Sequence, residues 1–92
     1  MQKITLQVIN EVGLHARPAS EFVKLAGQFK ADLQVRNKTT GSKMVDAKSI
    51  LSVLMLGVEK GHEIELTSEG EDGERAIQAL RKLIESDFAG MF

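Results

Sequence analysis

The spacing of apolar residues switches repeatedly between a period of two and a helical period, and this succession most constrains the fold. Ile4, Leu6 and Val8 alternate with polar residues, which is the pattern of a strand with one buried face. The segment 10–13 is a turn, and helical spacing follows from Ala16 to a stop near residue 27. The first third of the chain therefore predicts a strand, a turn and a helix.

The middle of the chain predicts two antiparallel strands and a short helix. Leu33 and Val35 alternate with polar residues, and the polar stretch NKTTGSK predicts a hairpin loop before a return strand at 44–45. The following stretch SILSVLML is too apolar for a single buried stripe and ends at Gly57. We interpret it as a short helix that leaves part of its apolar surface exposed.

The last third predicts one more strand and a final helix. Ile64 and Leu66 alternate with acidic residues, and the stretch EGEDGERAIQALRKLIES has helical periodicity. Its first turn is acidic and its later turns are basic, as the helix dipole favours. The predicted inward residues are Ala76, Ile77, Leu80, Leu83 and Ile84.

The element order is βαββαβα, and strands with one buried face require helices on that face only. The sequence therefore predicts an α+β fold, an open-faced two-layer sandwich of a four-stranded antiparallel sheet with three helices on one face. With 92 residues, the chain suffices for one modest hydrophobic core. We expect a single domain over residues 1–92.

Composition excludes several classes of function. The formal net charge is −1, from 12 basic and 13 acidic residues, so no net field attracts nucleic acid or an anionic membrane. The chain has no Cys, Trp or Tyr, which excludes thiolate chemistry and disfavours base stacking. The segment MQKITLQV has no apolar run of signal-peptide length, so we expect neither a signal peptide nor a transmembrane segment. We expect a cytoplasmic monomer that binds no nucleic acid, inserts into no membrane and needs no cofactor or metal.

The stretch GLHARPAS places His15, Arg17 and the only proline of the chain, Pro18, at the junction between the first strand and the first helix. A helix N-terminus favours anions through its dipole and its unpaired N–H groups. The planar fork of an arginine matches phosphate oxygens. A neutral imidazole leaves one ring nitrogen free as a nucleophile. This combination suits reversible phosphorylation of His15.

Hydrolysis and metal binding fit the residues less well. The only other histidine is His62, in a glycine-containing turn where we expect a solvated loop residue. Zinc requires three or four converging ligands. The local sequence places no carboxylate beside His15 to orient it as a general base. We therefore expect a carrier and not an enzyme with turnover of its own.

The segments GLHARPA, AKSILSVLMLGVEKGHEIEL and EGED, in this order, closely resemble the HPr family, the histidine phosphocarriers of the bacterial phosphoenolpyruvate-dependent phosphotransferase system. The resemblance covers essentially the whole chain. It implies that enzyme I phosphorylates His15 at Nδ1, that His15 passes the group to EIIA domains for sugar uptake and regulation, and that Arg17 contacts the phosphate. The loop between Leu33 and Ser49 is a few residues longer than in common HPr proteins.

The resemblance further implies regulatory phosphorylation of Ser49 by an HPr kinase and binding to a transcription regulator; the ordinary role of Ser49 is a helix N-cap. We expect Leu51 and Leu54, with Ala16 and Ser20, to form the partner-binding surface. Two alternatives stay open. The stretches SVLMLG and ESDF are similar to the nitrogen-related NPr branch, and the chain could instead be an interaction module regulated at Ser49.

Overall fold

The structure, a computed structural model, describes residues 1–88 and contains the predicted order of strands and helices. The last four residues of the predicted domain 1–92 lie outside the described range. The elements are β1 (Gln2–Gln7), α1 (Ala16–Ala26), β2 (Asp32–Asn37), β3 (Val45–Asp46), α2 (Ile50–Met55), β4 (Glu63–Glu69) and α3 (Gly73–Glu85).

The four strands form one antiparallel sheet in the order β1-β4-β2-β3. In this register, Leu6 pairs with Ile64, and Val35 pairs with Leu66. These four side chains are buried, whereas the residues that alternate with them along the strands are exposed or half-buried. The helices pack on the buried face alone, which confirms the predicted α+β open-faced sandwich.

Each helix contributes a fully buried anchor to the core, such as Phe22 of α1, Val53 of α2 and Leu80 of α3. Burial of a side chain of this size stabilises the fold by about 1.5–3 kcal/mol. The predicted inward face of α3 is confirmed at four of its five positions. Leu83 is half-buried and packs at the margin of the core.

The second hairpin strand begins at Val45, one residue after its predicted start. β3 contains only Val45 and Asp46, paired with Val35 and Gln34 of β2. The long connection 38–44 is held instead by β2, because Asn37 accepts hydrogen bonds from the Gly41 and Ser42 N–H groups. The sheet therefore ends in a minimal edge strand.

His62 lies in the loop before β4, as expected, but the expectation that its side chain is solvated is wrong. Its half-buried ring lies with Nδ1 3.1 Å from Asn37 Nδ2 and 3.2 Å from the Glu59 N–H nitrogen. Asn37 is fully buried, its Nδ2 donates to the Leu56 carbonyl, and its Oδ1 accepts from Thr40 N–H. Nδ1 therefore faces two donors and must accept from both. The buried Asn37 amide explains why the ring is drawn inward.

Candidate functional site

The turn before His15 packs tightly against the connection between α2 and β4. Gly13 has a φ angle of 66°, and a Cβ atom there would overlap the Val58 carbonyl. The Leu14 N–H donates to that same carbonyl at 2.9 Å, and the Leu14 side chain is fully buried. The chain therefore reaches His15 from a rigid anchor.

His15 is the residue that immediately precedes α1, as predicted. Its backbone is extended, with φ −126° and ψ 162°, and its side chain makes no capping hydrogen bond. The ring is half-buried, and the His15 carbonyl accepts from Ala19 N–H at 3.5 Å. The imidazole is thus placed at the positive end of an 11-residue helix, where negative charge is stabilised.

The residue after His15 adopts an uncommon backbone conformation. Ala16 has a φ angle of 51°, in the left-handed region that residues with a Cβ rarely occupy. Such a conformation costs on the order of 1–3 kcal/mol and is often found at functional sites. Pro18 follows in the first turn, is buried, and lacks an N–H that the helix would not use.

The structure places the other predicted residues of α1 on its outer surface. Ala16, Arg17 and Ser20 are all exposed. Ala16 and Ser20 are four residues apart and lie on the same side of the helix. The guanidinium of Arg17 is two residues from His15 and belongs to the first turn of α1.

Helix α2 packs beside α1. Ser49 is its N-cap, and the Ser49 hydroxyl accepts from Ser52 N–H at 3.3 Å. The Lys48 ammonium donates to the Phe29 carbonyl at 2.7 Å, which joins the start of α2 to the segment that follows α1. The capping role of Ser49 is therefore visible in the hydrogen bonds.

The exposed apolar surface of α2 differs in part from the expected one. Leu51 is 66% exposed, but Leu54 is half-buried and packs against the core. Met55 is 78% exposed and Ile50 is 43% exposed. The exposed apolar side chains of α2 are therefore Ile50, Leu51 and Met55, which we call the α2 patch. A six-residue helix is too short for its apolar spacing to reveal which side faces the core.

The turn before His15 also carries apolar side chains that the sequence analysis missed. Ile9 is 45% exposed and Val12 is 51% exposed. No local signal distinguishes Ile9 and Val12 from Leu14, an apolar neighbour of the same glycine that is fully buried. The turn is joined to the opposite loop by Glu11 and Lys60, whose charged atoms are 2.9 Å apart.

The hydrogen bond from Lys60, together with its positive charge, lowers the pKa of the Glu11 carboxyl, and the same contact raises the pKa of Lys60. Both side chains are largely exposed, so salt weakens the pair and it contributes little to stability.

Among residues 1–88, no cluster of three or more His, Asp or Glu side chains could hold a metal ion. The same residues contain no helix long and apolar enough to span a membrane.

Comparisons with known proteins agree with this arrangement. The family model described as "PTS HPr component phosphorylation site" matches residues 2–86. The phosphocarrier protein HPr of Pseudomonas aeruginosa is 41% identical over 88 residues, 96% of each chain. The chain belongs to the HPr family. The crystal structure of HPr-C-His from Thermoanaerobacter tengcongensis matches with a TM-score of 0.92 and 42% identity, over 100% of both chains.

HPr sequences also occur inside longer proteins. The multiphosphoryl transfer protein of Haemophilus influenzae is 40% identical over 80 residues, which are 87% of this chain but 16% of that protein. The chain thus spans less than a fifth of the length of that relative. The family model is described as a phosphorylation site, and the Pseudomonas aeruginosa relative is named a phosphocarrier protein.

Proposed function

We propose that His15 is the phosphoryl acceptor of this HPr protein, charged by enzyme I with phosphoenolpyruvate as the source and discharged to EIIA domains. The observation that carries the proposal is the placement of His15. Its half-buried ring lies at the N-terminus of α1, between the anchored Leu14 and the left-handed Ala16. The description of the matching family model as a phosphorylation site supports it.

The transfer moves one phosphoryl group from enzyme I to His15. The lone pair of His15 Nδ1 forms the new N–P bond while the bond between phosphorus and its donor atom on enzyme I breaks. The transition state is loose and in-line, so the carrier needs only to position the ring and stabilise the charge. In the second transfer the imidazole of His15 is the leaving group, and the phosphoryl group passes to the EIIA domain.

Two features near His15 suit the charge of the phosphoryl group. Arg17 is always protonated, and its fork can pair with phosphate oxygens two at a time. The dipole of α1 directs its positive end toward the same place. Arg17 is exposed and so lies outside the core, and we assign its guanidinium to the charge of the phosphoryl group.

The surface for the partners lies on α1 and α2. We assign partner binding to the α2 patch together with Ala16 and Ser20, because apolar contacts on a small exposed area permit several partners and fast release. Leu54 packs against the core and so supports the helix that presents this surface. Phosphorylation of Ser49 at the border of this surface would add nearly two negative charges and regulate docking.

The test is phosphorylation by enzyme I and phosphoenolpyruvate, followed by mass spectrometry of the intact protein. We expect one added phosphoryl group that is labile in acid and stable in base, as a phosphoramidate is. His15→Ala should receive none. The matched control is His62→Gln, because a glutamine carbonyl can accept hydrogen bonds in place of the ring nitrogen. Enzyme I should phosphorylate this variant as it does the parent. Labelling of His15→Ala by enzyme I would overturn the assignment.

A further inference from the structure

Asn10 is a buried polar residue in the turn that leads to His15, and its exposed fraction is 6%. Its Nδ2 donates to the Gly13 carbonyl at 2.7 Å, and its own carbonyl accepts from Gly13 N–H at 3.1 Å. Both backbone polar groups of Gly13 are therefore bound by one residue. The orientation of the amide is defined, since a flipped amide would place two oxygens against each other.

The amide of Asn10 continues a chain of contacts that ends at His15. Gly13, held by Asn10, packs on the Val58 carbonyl, and Leu14 N–H donates to that same oxygen. His15 is the next residue, and its extended backbone begins α1. A turn that is loose at Asn10 would let Gly13 and Leu14 shift and would carry the imidazole with them.

The other polar atom of the Asn10 side chain, Oδ1, has no hydrogen-bond partner among the described residues. This atom is buried. A buried acceptor without a partner costs free energy that an apolar side chain would avoid. The Asn10 side chain therefore fixes the geometry of the turn through Nδ2, while its unpaired Oδ1 lowers the stability of the fold.

We propose that Asn10 is a positioning residue for phosphoryl transfer at His15. It acts through Gly13 and Leu14 and touches neither the phosphoryl group nor the partner. The proposal rests on the function assigned to His15 above. Because small misplacements of a reacting atom slow transfer strongly, loss of the Asn10 amide should lower the rate of transfer within the complex and leave docking unchanged.

The first experiment measures the steady-state charging of Asn10→Ala by enzyme I, with this chain as the varied substrate. We expect kcat to fall about tenfold with an unchanged KM. The matched control is Gln7→Ala. It removes an exposed side-chain hydrogen bond of 3.3 Å from Gln7 to the carbonyl of Gly61, in the connection between α2 and β4. It should keep the parental kcat. All rates are taken where circular dichroism shows each variant folded.

The second experiment uses Asn10→Asp, which has nearly the shape of asparagine but donates to Gly13 only when its carboxyl is protonated. The rate of this variant relative to the parent should rise as the pH falls, because protonation restores the O–H donor. Glu11, the charged neighbour in the turn, is paired with Lys60. We expect this pair to affect the rates of parent and variant equally, so that its effect cancels in the ratio. A residue needed only for stability would give a flat ratio in the folded protein.

The outcomes are distinguishable. If the parent is not charged by enzyme I at all, the function assigned to His15 fails. If the parent is charged and Asn10→Ala keeps the parental kcat, only the positioning role is overturned. A raised KM with an unchanged kcat would make Asn10 part of the docking surface and would also overturn the proposal. If Asn10→Ala does not fold, the pH ratio of Asn10→Asp decides, and a flat ratio overturns it.

Discussion

Gly13 lies directly against the carbonyl group of Val58, with no room for a Cβ atom between them. Its φ angle of 66° adds a backbone cost of about 1–3 kcal/mol for any other residue. We therefore expect Gly13→Ala to lower the free energy of unfolding by more than this backbone cost and to slow phosphoryl transfer to His15. Chemical denaturation and initial charging rates measure the two effects.

Gly57 supplies the matched control for this substitution. Its φ angle of 61° is nearly the same, but a Cβ atom there would meet nothing within 4 Å. Gly57→Ala should therefore lose only the backbone term, about 1–3 kcal/mol. Equal losses for the two variants would show that the contact between Gly13 and Val58 yields easily and does not anchor the turn.

Leu51 and Leu54 are expected to respond in opposite ways to the same substitution. Leu51 is 66% exposed, so Leu51→Glu should change the free energy of unfolding by less than about 0.5 kcal/mol while slowing charging by enzyme I through a raised KM. Leu54 packs against the core, so Leu54→Glu should destabilise the fold by more than about 2 kcal/mol. Thermal melts and charging kinetics separate the two. A parental KM for Leu51→Glu would remove the α2 patch from the docking surface.

The order of strands and helices was predictable because the local spacing of apolar residues indicates each element. Phe22 and Ala26 of α1 and Leu80 and Ile84 of α3 recur at helical spacing, and all are buried. The position of His15 before α1 followed from the same local signal. Helix α2 was predictable as an element but not in its orientation, since six residues contain fewer than two turns.

The contacts that shape the site were not predictable, because they join residues far apart in the chain. Asn37 and His62 are 25 residues apart, and nothing local marks their pairing. The same applies to Gly13 and Val58, which lie on two different connections, one between β1 and α1 and the other between α2 and β4. Sequence patterns report which residues prefer burial, whereas these contacts depend on the packing of one loop against another.

Ser49 should make a measurable contribution to stability through its cap. Its hydroxyl accepts from Ser52 N–H, so Ser49→Ala should lose about 1 kcal/mol, a fall in Tm of about 4–8 °C for a domain of this size. Ser49→Asp retains an acceptor and should melt near the parent, yet accept phosphate from enzyme I more slowly. The control is Ser52→Ala, which keeps the donating backbone group. Should Ser49→Asp be charged at the parental rate, a negative charge at this position would not regulate docking.

Asp72 joins two distant turns and should give the protein part of its pH-dependent stability. One carboxylate oxygen accepts from Lys30 N–H and the other from Ala31 N–H, each at 2.8 Å. The hydrogen bond from Lys30, then that from Ala31, with a smaller effect of the Arg75 charge, lowers the pKa of this carboxyl against the opposing effect of desolvation. The ionised form therefore belongs to the folded state.

A folded-state pKa below the unfolded value of about 3.9 stabilises the protein above that value, and the gain disappears as the pH falls through the folded-state pKa. Asp72→Asn keeps the shape but opposes one backbone N–H with an amide N–H, so it should be less stable than the parent at pH 7. This deficit should shrink below about pH 4. Asp32→Asn is the control, since its exposed carboxylate makes no such hydrogen bond within residues 1–88, and its denaturation midpoints should follow those of the parent. A deficit for Asp72→Asn that stays constant from pH 7 to pH 2 would show that the carboxylate charge does not stabilise this junction.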